Sequence, residues 1–136
     1  MSHEILIVED DPTVRELVDV VLSRAGYPVL LARDGIVALD MLRYVRPALV
    51  LLDINMPGMS GLEVLKTVRH TLRLSTPVLM MTADQSVDTV RDVKALGANG
   101  YLLKPFTHED LLARVKKALT LPVAEKAKRP TGAQGG

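Results

Sequence analysis

The chain contains no cysteine. Disulfides, thiol catalysis and cysteine-ligated zinc are therefore excluded, and the composition is compatible with a reducing cytoplasm. Aromatic residues are nearly as scarce: Tyr27, Tyr44, Tyr101 and Phe106 are the whole set, too few and too scattered for a base-stacking platform. No apolar run approaches the ~20 residues needed to span a bilayer, and the longest, such as Ala48 to Leu52, have the length of a strand. The segment Met1-Ser2-His3-Glu4 has neither the basic region nor the apolar stretch of a secretory signal. The expectation is a soluble cytoplasmic protein without membrane contact. An excess of one charge is also missing, since 17 Lys and Arg face 16 Asp and Glu. Three of the basic residues (Lys126, Lys128, Arg129) and one acidic residue (Glu125) lie in 122–136, so residues 1–121 carry 14 basic against 15 acidic side chains. A net charge of −1 over that part gives no support for direct nucleic-acid binding.

What is present is enough for one ordinary domain: 136 residues, 48% of them hydrophobic and 24% charged. Two kinds of segment alternate. Ile5 to Val8, Val29 to Leu31, Ala48 to Leu52, Val78 to Met81 and Tyr101 to Leu103 are continuous apolar runs, as expected of strands buried on both faces of a parallel sheet. Between them lie helical patterns. Val14, Leu17, Val18, Val21, Leu22 and Ala25 form one stripe, with Asp11 as N-cap, Pro12 at the first helical position and Gly26 as terminator. Ala38, Met41, Leu42 and Val45 form a second stripe, ending before Pro47. Ser60-Gly61-Leu62-Glu63 is a capping box for a third helix through about Thr71. Val87 to Leu96 is a fourth, ended by Gly97, and its narrow stripe (Val90, Val93, Leu96) predicts the loosest packing. Thr107 to Asp110 caps a fifth, with Leu111, Leu112, Val115 and Leu119 inward.

The order is (βα)₅, an α/β chain. Strands joined by helices pair in parallel through right-handed crossovers. Five units cannot close an eight-stranded barrel, so an open, doubly wound sheet is expected. Residues 1–121 form this domain, and 122–136, rich in Ala, Gly, Lys and Pro without apolar periodicity, are expected to be a flexible tail or the start of a linker.

In open α/β sheets the site lies at the carboxyl ends of the strands. Here those ends carry Glu9, Asp10 and Asp11, then Asp53, then Thr82 and Ala83, then Lys104 and Pro105. Carboxylates brought to one edge repel unless a cation joins them. Oxygen-only ligands without His or Cys favour a hard ion, Mg²⁺ or alternatively Mn²⁺. Lys104 adds a point charge and Thr82 a hydroxyl, which together suit a phosphoryl group, with one carboxylate as the nucleophile. Asp11 reads as a helix cap rather than a ligand.

These segments resemble the receiver domain of bacterial two-component response regulators. The matching motifs are Ile5-Leu6-Ile7-Val8-Glu9-Asp10-Asp11-Pro12, Asp53-Ile54-Asn55-Met56-Pro57-Gly58-Met59-Ser60-Gly61, Met81-Thr82-Ala83 and Tyr101-Leu102-Leu103-Lys104-Pro105-Phe106, spread over residues 4 to about 120. The resemblance implies a flavodoxin-like sheet of strand order 2-1-3-4-5. It implies phosphorylation of Asp53 by a sensor histidine kinase or phosphotransfer protein. Glu9, Asp10, Asp53 and the Asn55 backbone carbonyl would hold Mg²⁺. Thr82, Ala83 and Lys104 would bind the phosphoryl group, Tyr101 would be the aromatic switch, and the Lys104–Pro105 peptide would be cis. It further implies a switching surface of helix 4, strand 5 and helix 5, self-dephosphorylation rather than turnover of an external substrate, and an unidentified downstream protein. The side chains of Asn55 and Asp84 stand at positions that tune the phosphoryl lifetime in the family.

Receivers joined to winged-helix DNA-binding domains usually carry an acidic residue just before the strand 5 tyrosine, where this chain has Asn99-Gly100. Output through a different partner, or as a separate domain, is therefore expected. Three rivals make different predictions. A Mg²⁺-dependent phosphohydrolase commonly needs a second carboxylate two residues after Asp53, where Asn55 stands. A flavin carrier of the same topology would be repelled by Glu9-Asp10-Asp11. A phosphate-independent docking module would have no use for the full set of acceptor, acids and lysine.

Overall fold

A computed structural model describes residues 3–120, and the expected tail at 122–136 lies outside them. The five strands are β1 (Ile5–Val8), β2 (Val29–Ala32), β3 (Leu49–Asp53), β4 (Val78–Thr82) and β5 (Gly100–Leu103). They form one parallel sheet in the order β2-β1-β3-β4-β5. The helices α1 (Pro12–Arg24), α2 (Gly35–Met41), α3 (Gly61–Lys66), α4 (Val87–Ala95) and α5 (His108–Leu119) alternate with them.

Successive strand side chains point to opposite faces, and both faces are covered. Leu6, Val8, Val50, Leu52, Val78 and Met80 pack with Ala38, Leu42, Val64, Leu65 and Val93 under α2, α3 and α4. Ile5, Ile7, Leu49, Leu51, Leu79 and Met81 pack with Val18, Val21, Leu22, Leu111, Val115 and Ala118 under α1 and α5. Each fully buried Leu or Ile contributes roughly 1.5–3 kcal/mol, and each capping side chain about 1 kcal/mol, so the two apolar layers decide the fold and the caps adjust its ends. Central strands β1, β3 and β4 are buried throughout. The edge strand β2 departs from the expectation of two-sided burial: Leu31 is 42% exposed, because β2 has a neighbour on one side only.

The caps follow the sequence. Asp11 accepts the Thr13 N–H at 2.9 Å, and the Ser60–Glu63 and Thr107–Asp110 capping boxes are both formed. Strand ends differ from the apolar runs by one residue in places, with Thr82 inside β4, and two helices differ more. β3 ends in Asp53, as expected, paired with Met81 of β4. α2 ends at Met41, and its expected last turn to Val45 is a chain of tight turns. α3 stops at Lys66 and continues as a π-helical turn over Thr67–Thr71, closed by the Leu72 N–H donating to the Thr67 carbonyl at 2.9 Å. α4 has a single fully buried side chain, Val93, and Val87 in its first turn is 70% exposed, which agrees with its narrow stripe.

Candidate phosphoryl-acceptor and metal site

The register places the site. Val8 lies beside Leu52, so Glu9 emerges next to Asp53. Thr82 pairs with Leu103, and the Lys104 N–H donates to the Thr82 carbonyl at 2.7 Å, which brings the lysine alongside β4. Two close approaches seat Asp53 itself. The Ile54 N–H donates to the Met81 carbonyl at 3.0 Å, and the Gly61 N–H to the Ile54 carbonyl at 2.8 Å. A Cβ on Gly61 would press into the Asp53 carbonyl and stand 2.8 Å from the Ile54 Cα, so only glycine lets α3 start this close to the strand.

Glu9, Asp10 and Asp53 each offer a carboxylate oxygen within 4.8 Å of the others. Lys104 joins two of them: its Nζ lies 2.9 Å from Glu9 Oε1 and 3.1 Å from Asp53 Oδ1. Glu9 and Asp53 are buried, with Asp53 3% exposed, while Lys104 is half-buried and reaches in from the rim. Burial pushes the Glu9 carboxyl from the ordinary 4.5 up to about 7; the Asp53 charge adds to this, and the Lys104 and Asp11 hydrogen bonds oppose it. At Lys104, burial lowers the ammonium pKa, but the bond to Glu9 and the charges of Asp53 and Glu9 outweigh it, and the net shift is upward. Two acids thus share one fixed cation, and the acid bonded to that cation by the shorter contact sits near neutrality.

Of the other expected residues, Thr82 is buried at the end of β4 and its Oγ1 accepts the Asp84 N–H at 2.9 Å. Ala83 and Asn55 are exposed at the rim. Tyr101 is half-buried against the layer under α2 to α4, and its carbonyl accepts Arg114 Nη1 at 2.8 Å. The Lys104–Pro105 peptide is cis. Three sets of contacts had no sequence signal, although Asp84 itself was singled out. Arg15 Nη1 donates to the Glu9 carbonyl at 2.8 Å, tying α1 to the acidic loop. Asp84 gathers Ser86 and Thr89 around α4. Arg69 joins the π-helical turn to Gly97 and Asn99.

A family profile described as the response regulator receiver domain matches residues 5–116. The chain belongs to that family. Its general function is two-component signalling through phosphorylation of an aspartate, and its members generally bind Mg²⁺. Among similar proteins, response regulator MprA of Mycobacterium bovis is 45% identical over 128 residues, 93% of this chain and 55% of the relative. The DNA-binding response regulator MtrA of Mycolicibacterium smegmatis is 39% identical over 88% of this chain and 51% of the relative. The chain therefore spans about half the length of these curated relatives. The structure of chemotaxis protein CheY4 of Vibrio cholerae superposes with a TM-score of 0.83 at 38% identity, over 88% of this chain and all of that one. The receiver family is the one the matches support, rather than that of a flavin carrier. Among the described residues no helix is long and apolar enough to cross a membrane.

The donor set fits the family's metal. Three carboxylates converge without His or Cys, which suits a hard divalent cation with retained waters.

Proposed function

We propose that Asp53 is the residue phosphorylated in this receiver, by a histidine kinase or phosphotransfer protein, and that residues 1–121 act as the receiver. The observation that carries this is the placement of Asp53: a buried carboxylate at a strand end, 3.1 Å from the Lys104 ammonium and beside Glu9 and Asp10. Glu9, Asp10 and Asp53, with the Asn55 backbone carbonyl, would hold Mg²⁺, and Mn²⁺ has the same ligand preference. The bound ion would supply positive charge against the phosphoryl oxygens.

The protein's own groups do the rest. Asp53 Oδ attacks phosphorus in line; the N–P bond to the donor histidine breaks as the O–P bond forms. Lys104, already aimed at Asp53, takes up the charge that develops on the transferred oxygens. The Thr82 hydroxyl and the Ala83 N–H supply further donors. The new dianion then biases a two-state surface made by α4, β5 and α5, with Tyr101 at its centre, and a downstream protein reads the change. Hydrolysis returns the carboxylate: water attacks phosphorus, the O–P bond breaks and inorganic phosphate leaves. This cycle makes the chain a switch acting on itself in the cytoplasm. Its charge balance speaks against nucleic-acid contact by this domain, and Asn99-Gly100 against the charged dimer of the winged-helix subfamily.

Incubation with Mg²⁺ and phosphoramidate tests the reading. The intact mass rises by one phosphoryl group, and Asp53→Asn abolishes the rise. Equal labelling of the variant would refute the assignment.

A further inference from the structure

Thr82 belongs to two sets of contacts at once. It ends β4 in the site, buried to 1% exposure, and its Oγ1 accepts the N–H of Asp84 at 2.9 Å. The Asp84 carboxylate in turn accepts the Ser86 N–H at 2.9 Å and the Thr89 hydroxyl at 2.6 Å. Ser86 caps α4 by accepting the Thr89 N–H at 3.2 Å, and the two hydroxyls lie 3.0 Å apart. A continuous polar chain therefore runs from Thr82 to the first turn of α4. Little else holds that turn, since Val87 and Asp88 are exposed and the buried Val93 lies two turns along. The other end of α4 is pinned. Gly97 takes φ +94°, and its carbonyl accepts Arg69 Nε at 3.0 Å.

We propose that Asp84 and Thr89 form a latch that holds the first turn of α4 to Thr82 in the unphosphorylated state, so that drawing Thr82 onto the phosphoryl group releases the turn. This rests on the reading of Asp53 as the acceptor and adds the element through which Thr82 acts. Asp84 is a positioning residue here: it touches Thr82 and α4. The Thr89 bond first, and then those of Ser86, hold its carboxyl below the ordinary carboxylate range, as expected of an ionised acceptor at the hub. Because coupling is reciprocal, loss of the latch must favour the phosphorylated arrangement as much as phosphorylation loosens the latch. Loss of one exposed hydrogen bond should shift that balance a few-fold.

The test compares the full chain with Thr89→Val, which removes the hydroxyl, and Thr89→Ser, which keeps it. Hydrogen exchange of the α4 first turn and the rate of phosphorylation by phosphoramidate with Mg²⁺ are both measured. Thr89→Val should exchange that turn a few-fold faster before phosphorylation and take up phosphate faster than the wild type. Thr89→Ser should match the wild type, and wild type should gain the fast exchange once phosphorylated. Thr89→Ser should melt with the wild type, and Thr89→Val no more than a few degrees below it, the cost of one exposed hydrogen bond. If the wild type is labelled on Asp53 but Thr89→Val matches it in exchange and rate, or is slower, the latch is wrong and the acceptor assignment stands. If the wild type takes no phosphoryl group on Asp53, the acceptor assignment falls and the latch falls with it.

Discussion

At the carboxyl ends of β1, β3 and β5, two buried carboxylates, Glu9 and Asp53, face the Lys104 ammonium; before β4 and β5, at the opposite end of the same sheet, the Arg69 guanidinium is held by neutral acceptors. Arg69 donates to the Leu74 carbonyl at 2.8 Å, the Gly97 carbonyl at 3.0 Å and Asn99 Oδ1 at 3.1 Å, and Asn99 Oδ1 also accepts the Val78 N–H at 2.8 Å. Burial lowers the Arg69 pKa from its ordinary value, but a guanidinium stays charged at any ordinary pH. The charge on Arg69 therefore stays fixed. At the other end the charges are few, close and unequally balanced, so a proton, a metal ion or a phosphoryl group each alters the sum. The comparison teaches that the sheet carries a fixed frame at one end and an adjustable charge cluster at the other.

Removing the frame should give the larger stability change. Arg69→Met leaves two backbone carbonyls and an amide oxygen short of a donor and should cost about 1–3 kcal/mol in urea unfolding. Labelling of Asp53 by phosphoramidate should be unaffected in the folded variant; loss of labelling would mean that the two ends are not separate in the way described.

A smaller effect should come from pH, in metal-free buffer with chelator. The Glu9 pKa is raised on folding from 4.5 to about 7. Its contribution to stability is therefore full below pH 4.5, declines as pH rises from there through about 7, and falls no further above that. Relative to Glu9→Gln, the wild type should lose on the order of 2 kcal/mol between pH 5 and 7.5, since one pKa unit corresponds to about 1.4 kcal/mol. A difference that grows with pH would reverse the sign and remove the burial argument.

The parts legible in the sequence were those governed by burial and local capping. Continuous apolar runs marked the strands because both sheet faces are covered, and Asp11, Ser60 and Thr107 marked helix starts because a cap acts within three residues. The strand-end rule was enough to put Glu9, Asp53 and Lys104 at one edge. It could not foresee that Lys104 bridges both acids, which depends on register and on how far a flexible side chain reaches. The π-helical turn after Lys66 and the early end of α2 were illegible because backbone hydrogen-bond partners there shift without a change in apolar period. Arg69 and its partner Asn99 lie 30 positions apart, and an arginine on an otherwise ordinary stripe carries no mark of such a bond.

The central claim is that the phosphoryl group goes to Asp53 and to no other acid of the cluster. Borohydride reduction of the phosphorylated protein, followed by peptide mass mapping, tests it most directly, because an aspartyl phosphate is reduced to homoserine where a free carboxylate is untouched. The account predicts homoserine at position 53 alone, dependent on Mg²⁺ and absent from unphosphorylated protein. Reduction at Glu9 or Asp10, or none in protein that carries the added mass, would contradict it.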